Sequence, residues 1–384
     1  MPLRIDELLK AAAAKAKHDA FGDDWFLEPL GVLVTALNDE ADLSEMGQQM
    51  TERRLTALLV DRLRLRQLQK DHPEILDVDV HVAAEICGLP RTGSTLLHRL
   101  LAASPQLTST LSWECSYPIP FPGEGPDSEI RKANAKKMMD LFLSLSPDFG
   151  DIHTVVWDGP EEDVLLLDRS FTAMSWDSFY WVPTYGIWLR SFDQSKAYDE
   201  LRQWLQVLQW QTLSNKGASR EGKKWVLKSP HHLTAADTVL DTFPECKIVM
   251  THRSPTSAIP SYASMVQAMS SQYSDTPDPK KIGPYWNDRF RECLSGFAEV
   301  RSRRPDRFVD VPFKATVSEP LETAKAVMAG LGLTVGPQDL QAFEDYLEVN
   351  QKERHGSHNY TAEDFGLSTE KLEADFAFYR EAYL

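Results

Sequence analysis

The segment Gly88–Ala102, GLPRTGSTLLHRLLA, constrains the fold of this chain more than any other stretch. A short apolar run ends in Ala84–Gly88, and a turn containing Gly88, Pro90 and Gly93 follows it. Apolar residues then recur at helical spacing through Arg99–Ala103. Strand, tight turn and helix in that order aim backbone N–H groups and a helix N-terminus at one point, which makes an anion site. The competing reading is a plain tight turn with a surface Arg91, and the rest of the sequence must decide between them.

Downstream, the pattern alternates. Residues around 107–112 suit a second strand, Trp225–Lys228 a short strand and Leu233–Thr242 a helix. Lys247–Thr251 (KIVMT) reads as a buried strand with a helix after Ser254. Arg307–Val311 reads as a last strand and Glu319–Leu331 as a helix. Such alternation predicts an α/β protein whose parallel sheet is covered on both faces. Residues 3–72 read as helical, because Leu30, Val32, Leu33, Leu37 and then Leu55, Leu58, Leu59, Leu63 repeat at three-to-four spacing; Pro73 ends the block. The proline-rich text at 118–126 is a loop. Within 131–215, Trp176, Phe179, Tyr180, Trp181, Tyr185 and Trp188 crowd thirteen positions. That stretch is either a lid over an apolar ligand or packing between helices.

Composition removes several classes. A formal charge of −16 disfavours nonspecific nucleic-acid binding, which needs a broad basic face. An acidic protein that binds a polyanionic nucleotide must concentrate its few cations locally. No apolar run approaches the roughly 18 residues of a membrane span. Asp6, Glu7 and Lys10 interrupt the start, so no signal peptide is expected. Cys87, Cys115, Cys246 and Cys293 form no CxxC pair, which suits reduced thiols in a cytoplasm and argues against structural zinc.

Against the triphosphate motif GxxxxGK[ST], Gly88 and Gly93 fit and Ser94 and Thr95 follow them. Ser94 stands where the motif has the lysine that reaches the β- and γ-phosphates. The cation here is Arg91, inside the loop, so the loop holds a phosphate but is built for a different group beyond it. PRTGSTLL resembles the 5′-phosphosulfate loop of the sulfotransferase superfamily, whose usual form is P-[KR]-[ST]-G-[ST]-[ST]. From about residue 20 to its end the chain resembles a bacterial branch that uses the sulfate donor PAPS and is related to tyrosylprotein and carbohydrate sulfotransferases.

The resemblance implies a P-loop-type parallel sheet flanked by helices. It implies an N-terminal helical extension over 1–75 and a sulfotransferase domain over 76–384, with a helical acceptor-binding insertion at about 115–215. It assigns the donor to Arg91, Thr92, Gly93, Ser94, Thr95 and Leu96. It also assigns the donor's 3′-phosphate to Arg253 with Ser261, eight residues on. A guanidinium can grip phosphate bidentately and a hydroxyl adds a hydrogen bond, so the chemistry agrees. The tail around Arg354, His355 and Gly356 is similar to the loop that closes on the 3′-phosphate and adenine, with a disordered linker as the competing view.

Lys228, at a strand end, is the expected partner of the leaving phosphate or the sulfuryl oxygens. Transfer to an alcohol also needs a base for the hydroxyl proton. Some relatives use a histidine two residues past the strand-end lysine, but that position is Pro230. The resemblance implies Glu114 as the base, because members more similar to this chain use a glutamate some way after the loop arginine; it is expected at the end of the second strand, with His231 or His232 as the alternative. Glu161 and Glu162 read as a solvated helix start. His153, Trp181, Tyr185 and His231 are the candidate acceptor contacts, and the acceptor is expected to be a small, apolar alcohol, phenol or lipid. No metal is expected, since no Walker-type lysine–serine pair or carboxylate–histidine cluster is seen in the sequence. A homodimer is left open, because the aromatic stretch and the helical preface both offer surface to a second copy. The rival readings are a small-molecule phosphotransferase and a noncatalytic nucleotide-binding protein.

Overall fold

The structure is a computed structural model, and it describes residues 2–124, 128–145, 156–213, 220–350 and 361–384. Five strands form one parallel sheet in the order β2-β3-β1-β4-β5: β1 (Val82–Gly88), β2 (Leu107–Thr108), β3 (Lys224–Lys228), β4 (Lys247–His252) and β5 (Phe308–Pro312). The expected α/β class is what forms. Successive strand residues point to opposite faces, and both faces are dry. Trp225, Leu227, Ile248 and Met250 join an apolar cluster on one face, while Val226, Val249, Ala84 and Ile86 join a second cluster on the other.

Three N-terminal helices, α1 (Ile5–Ala16), α2 (Leu27–Asp39) and α3 (Glu45–Asp71), precede the sheet. They supply Leu30, Leu33, Leu55, Leu59 and Leu63, all at 0% exposure, to the same cluster that lines the first sheet face. Buried ion pairs reinforce this contact. Arg62 holds Glu200, with Nη2 2.8 Å from Oε1, and Arg169 reaches Asp61 at 2.7 Å. The helical preface is therefore packed into the main core. Helix α4 (Ser94–Ala102) lies on the second face with the Pro320–Gly330 and Pro337–Val349 helices.

Two sequence expectations shift here. β2 is only two residues long, and Glu114 sits on the short Ser112–Ser116 helix rather than at a strand end. The aromatic stretch is largely core: Trp176, Tyr180 and Tyr185 are at most 2% exposed, whereas Phe179, Trp181 and Trp188 are half-buried against that core. Among the described residues, no helix is long and apolar enough to cross a membrane.

The register decides where chemistry can happen. Ile86 pairs with Lys228 and Gly88 with Thr251, so the carboxyl ends of β3, β1 and β4 stand side by side. The chain leaves β1 toward one side of the sheet and returns as β4 on the other. The crevice beyond such a switch point is where open α/β sheets bind ligands.

Candidate active site

The loop from Leu89 to Gly93 bends sharply out of β1 and into α4. Gly88 has φ 149°, and a Cβ there would lie 2.5 Å from the backbone oxygen of Thr251. Only glycine lets the loop pass this close to β4. Gly93 has φ 78° and caps α4, and a Cβ would come within 3.2 Å of the Phe313 ring. Arg91 itself takes φ 67°, a left-handed conformation uncommon for a residue with a side chain and characteristic of functional turns. Thr92 locks the bend. It is 0% exposed, donates to the Leu89 oxygen at 2.7 Å and lies 2.7 Å from the Thr251 hydroxyl. Ser94, Thr95 and Leu96 start α4 half-exposed, where the unsatisfied N–H groups of a helix's first turn gather.

Around that loop the cations collect. Arg91 Nε donates to Ser261 Oγ at 3.2 Å. Arg253, immediately after β4, donates from Nη1 to the Arg91 carbonyl at 2.5 Å and lies 4.3 Å over the Phe313 ring. Arg91, Arg253 and Ser261 are thus joined across 170 residues of sequence into one basic corner. Lys228 completes the edge. Its Nζ is 3.4 Å from Thr95 Oγ1 and 2.5 Å from Glu162 Oε1.

Glu162 is the residue that sequence reasoning misplaced. In place of the expected solvated helix start, its side chain is 24% exposed and turned onto Lys228, itself 3% exposed. Backbone bonding fixes the segment: Glu161 N donates to the Thr110 oxygen at 2.9 Å, and Thr110 Oγ1 donates to the Glu161 oxygen at 2.7 Å. A surface acid and a partner of a strand-end lysine look alike in one dimension.

Glu114 stands elsewhere. It is 4% exposed, and Oε2 accepts from Arg220 Nη2 at 2.7 Å and from Leu111 N at 3.0 Å. Its side chain is 5% exposed, against 24% for that of Glu162. Arg220 is a partner of Glu114 that the sequence does not reveal. His231 and His232 are both 0% exposed. His231 Nδ1 accepts from Met174 N at 3.1 Å, and burial holds its imidazole well below the usual range. His232 Nδ1 lies 2.6 Å from the Tyr198 hydroxyl, and Nε2 is 3.1 Å from Asp163 and 3.2 Å from Glu85.

Glu85, Asp163 and His232 bring ligand-type atoms within 4.8 Å of one another, a cluster not seen in the sequence because its members lie so far apart. Burial first, then the charge of Asp163, pushes the Glu85 carboxyl well up. His232 Nε2 bonds to Asp163, while Glu85 Oε1 finds no hydrogen-bond partner among the described residues. Tyr185, an expected acceptor contact, is also core: its hydroxyl donates to the Phe171 and Ala173 carbonyls at 3.0 and 3.1 Å. Trp181 is half-buried, with its ring edge-on to Tyr285 at 5.6 Å. His153, Arg354, His355 and Gly356 lie outside the described residues.

Comparison with known proteins agrees with this geometry. The sulfotransferase family profile matches residues 85–337. The fold is similar to that of sulfotransferase STF1 from Mycobacterium tuberculosis H37Rv, with TM-score 0.85 and 30% identity over 98% of this chain and 99% of that one. It is similar also to sulfotransferase STF9 from Mycobacterium avium, with TM-score 0.85 and 25% identity over 99% of this chain and 96% of that one. A search of curated proteins returns no match. The loop, the sheet order and the full-length likeness together place this chain in the sulfotransferase family.

Proposed function

We propose that this enzyme moves a sulfuryl group from PAPS to the hydroxyl of a small, apolar acceptor, an alcohol, phenol or lipid, giving a sulfate ester and PAP. The observation that carries the reading is the Lys228–Glu162 pair at 2.5 Å beside Thr95, at the same sheet edge as the Arg91–Ser261–Arg253 corner. The first group suits a reacting centre and the second suits a nucleotide phosphate.

In this reading the donor supplies an activated sulfuryl group, and the chain supplies position, charge and a proton acceptor. Loop N–H groups and Arg91 hold the 5′-phosphate side, while Arg253 and Ser261 hold the 3′-phosphate. Lys228 neutralises charge that grows on the equatorial sulfuryl oxygens and the departing phosphate oxygen, and fixed cations in a water-poor site do this at little reorganisation cost. The acceptor oxygen forms its bond to sulfur as the sulfur–phosphate oxygen bond breaks, and Glu162 takes the hydroxyl proton. Glu162 replaces Glu114 in that role because it is the carboxylate that touches Lys228. Incubating the enzyme with labelled PAPS and a metabolite extract, followed by mass spectrometry, tests the proposal. A labelled sulfate ester is the expected product; release of label only as free sulfate would overturn it.

A further inference from the structure

The nucleotide corner is held from behind by a part of the chain far from it in sequence. His252 is the last residue of β4 and immediately precedes Arg253. It is 2% exposed, and both ring nitrogens are engaged: Nε2 lies 2.8 Å from Asp310 Oδ1 and Nδ1 lies 2.8 Å from the Tyr379 hydroxyl. A carboxylate accepts only, so Nε2 carries a proton; in the neutral ring Nδ1 is then the acceptor, and Tyr379 donates to it. Tyr383 stacks on the imidazole with centroids 5.1 Å apart and planes 9° from parallel. Asp310 is in turn gripped by both Nη atoms of Arg301, one of them at 2.8 Å, and Arg301 lies 5.5 Å over the Tyr383 ring.

This cage and the nucleotide corner share two short pieces of backbone. β4 and β5 end together, His252 opposite Pro312, and the next residues, Arg253 and Phe313, stack on one another at 4.3 Å. One side of that junction is fixed by Tyr379, Tyr383 and Asp310, while the other aims a guanidinium at the Arg91 carbonyl and packs a ring under Gly93. A planar guanidinium gripping phosphate loses its advantage when its angle drifts, so the rigidity of the junction matters more for Arg253 than for the loop N–H groups.

We propose that Tyr379, on the C-terminal Ala377–Tyr383 helix, is a positioning residue for nucleotide recognition. Acting through His252, it sets the angle of Arg253 and thereby the enzyme's preference for a nucleotide that carries a 3′-phosphate. The proposal rests on the donor-site reading given above, and it extends that reading to the C-terminal helix.

The test is calorimetric titration of the full chain with PAP and with adenosine 5′-phosphate, which lacks the 3′-phosphate. The ratio of the two affinities does not depend on the fraction of protein that is folded. Tyr379→Phe removes one hydrogen bond to a buried imidazole, and its expected effect is a fall of about three- to tenfold in that ratio, with the affinity for adenosine 5′-phosphate unchanged. Asp310→Asn, at the other nitrogen, is expected to lower the same ratio. A wild-type preference for PAP that persists unchanged in both variants overturns the proposal alone. Equal wild-type affinity for the two nucleotides overturns the donor-site reading as well.

Discussion

Glu114→Gln separates the two carboxylates that compete for the role of base. Glu114 Oε2 accepts from Arg220 and from Leu111 N, and both side chains of the pair are at most 6% exposed. Removing one partner of a buried ion pair costs about 3–5 kcal/mol, because the other charge stays buried. Arg220 keeps three neutral acceptors, Thr108 Oγ1 and the carbonyls of Leu208 and Ser109, at 3.0–3.1 Å. These keep the guanidinium hydrogen-bonded and put the cost at the lower end, about 3 kcal/mol. For a chain of this length the unfolding entropy is roughly 0.8 kcal/mol/K, so Tm falls by about 4 °C. Activity per folded molecule is expected to stay near wild type. Glu162→Gln is expected to lower kcat per folded molecule by about 10²–10⁴, and to lower Tm as well, since it leaves the Lys228 ammonium, 3% exposed, with Thr95 Oγ1 at 3.4 Å. Scanning calorimetry with initial rates on the same preparations reads both quantities. A hundredfold loss of kcat in Glu114→Gln at unchanged Tm would refute the reasoning and return the base to Glu114.

Two further outcomes follow from the geometry. Arg91→Ala is expected to lose about 2.7–4 kcal/mol of transition-state stabilisation, read as a fall in kcat/KM for PAPS; near-normal transfer would remove Arg91 from the reacting edge. Glu85 offers a pH test, because burial and the charge of Asp163 raise its folded pKa well above the unfolded value. The folded state then holds the extra proton, so this contribution is full below about pH 4.3 and is lost as pH rises through the folded pKa. Glu85→Gln cannot lose that proton, and its Tm is expected to gain on wild type progressively from pH 5 to alkaline pH, whereas parallel Tm curves would contradict the assignment.

The loop after β1 was legible because it is local in sequence. Gly88, Arg91 and Gly93 specify their own backbone turn, and apolar runs such as KIVMT announce buried parallel strands without reference to anything distant. Arg253 and Lys228 could be placed once those strands were recognised, since a residue just past the end of a parallel strand faces the crevice. The acceptor side depends on contacts the sequence does not order. Whether Glu114 or Glu162 is available depends on which cation each meets, and those cations, Arg220 and Lys228, lie 106 and 66 residues away. The dense aromatic run fails for a related reason: a buried ring and a ligand-facing ring have the same spacing, and Trp176 and Tyr185 are buried by helices from elsewhere in the chain. The surroundings of His252 are equally hidden in one dimension, because its cage is built by Tyr379 and Tyr383, more than 120 residues on.

The central claim is that the loop after β1 and the residues after β4 together hold a nucleotide with phosphates at both the 3′ and 5′ positions. Direct competition between PAP and magnesium-ATP for the wild-type enzyme, repeated with Arg253→Ala, tests it most simply. The account predicts that PAP displaces ATP, and that Arg253→Ala removes most of this advantage. Tighter binding of ATP, or a PAP affinity indifferent to Arg253, would contradict it.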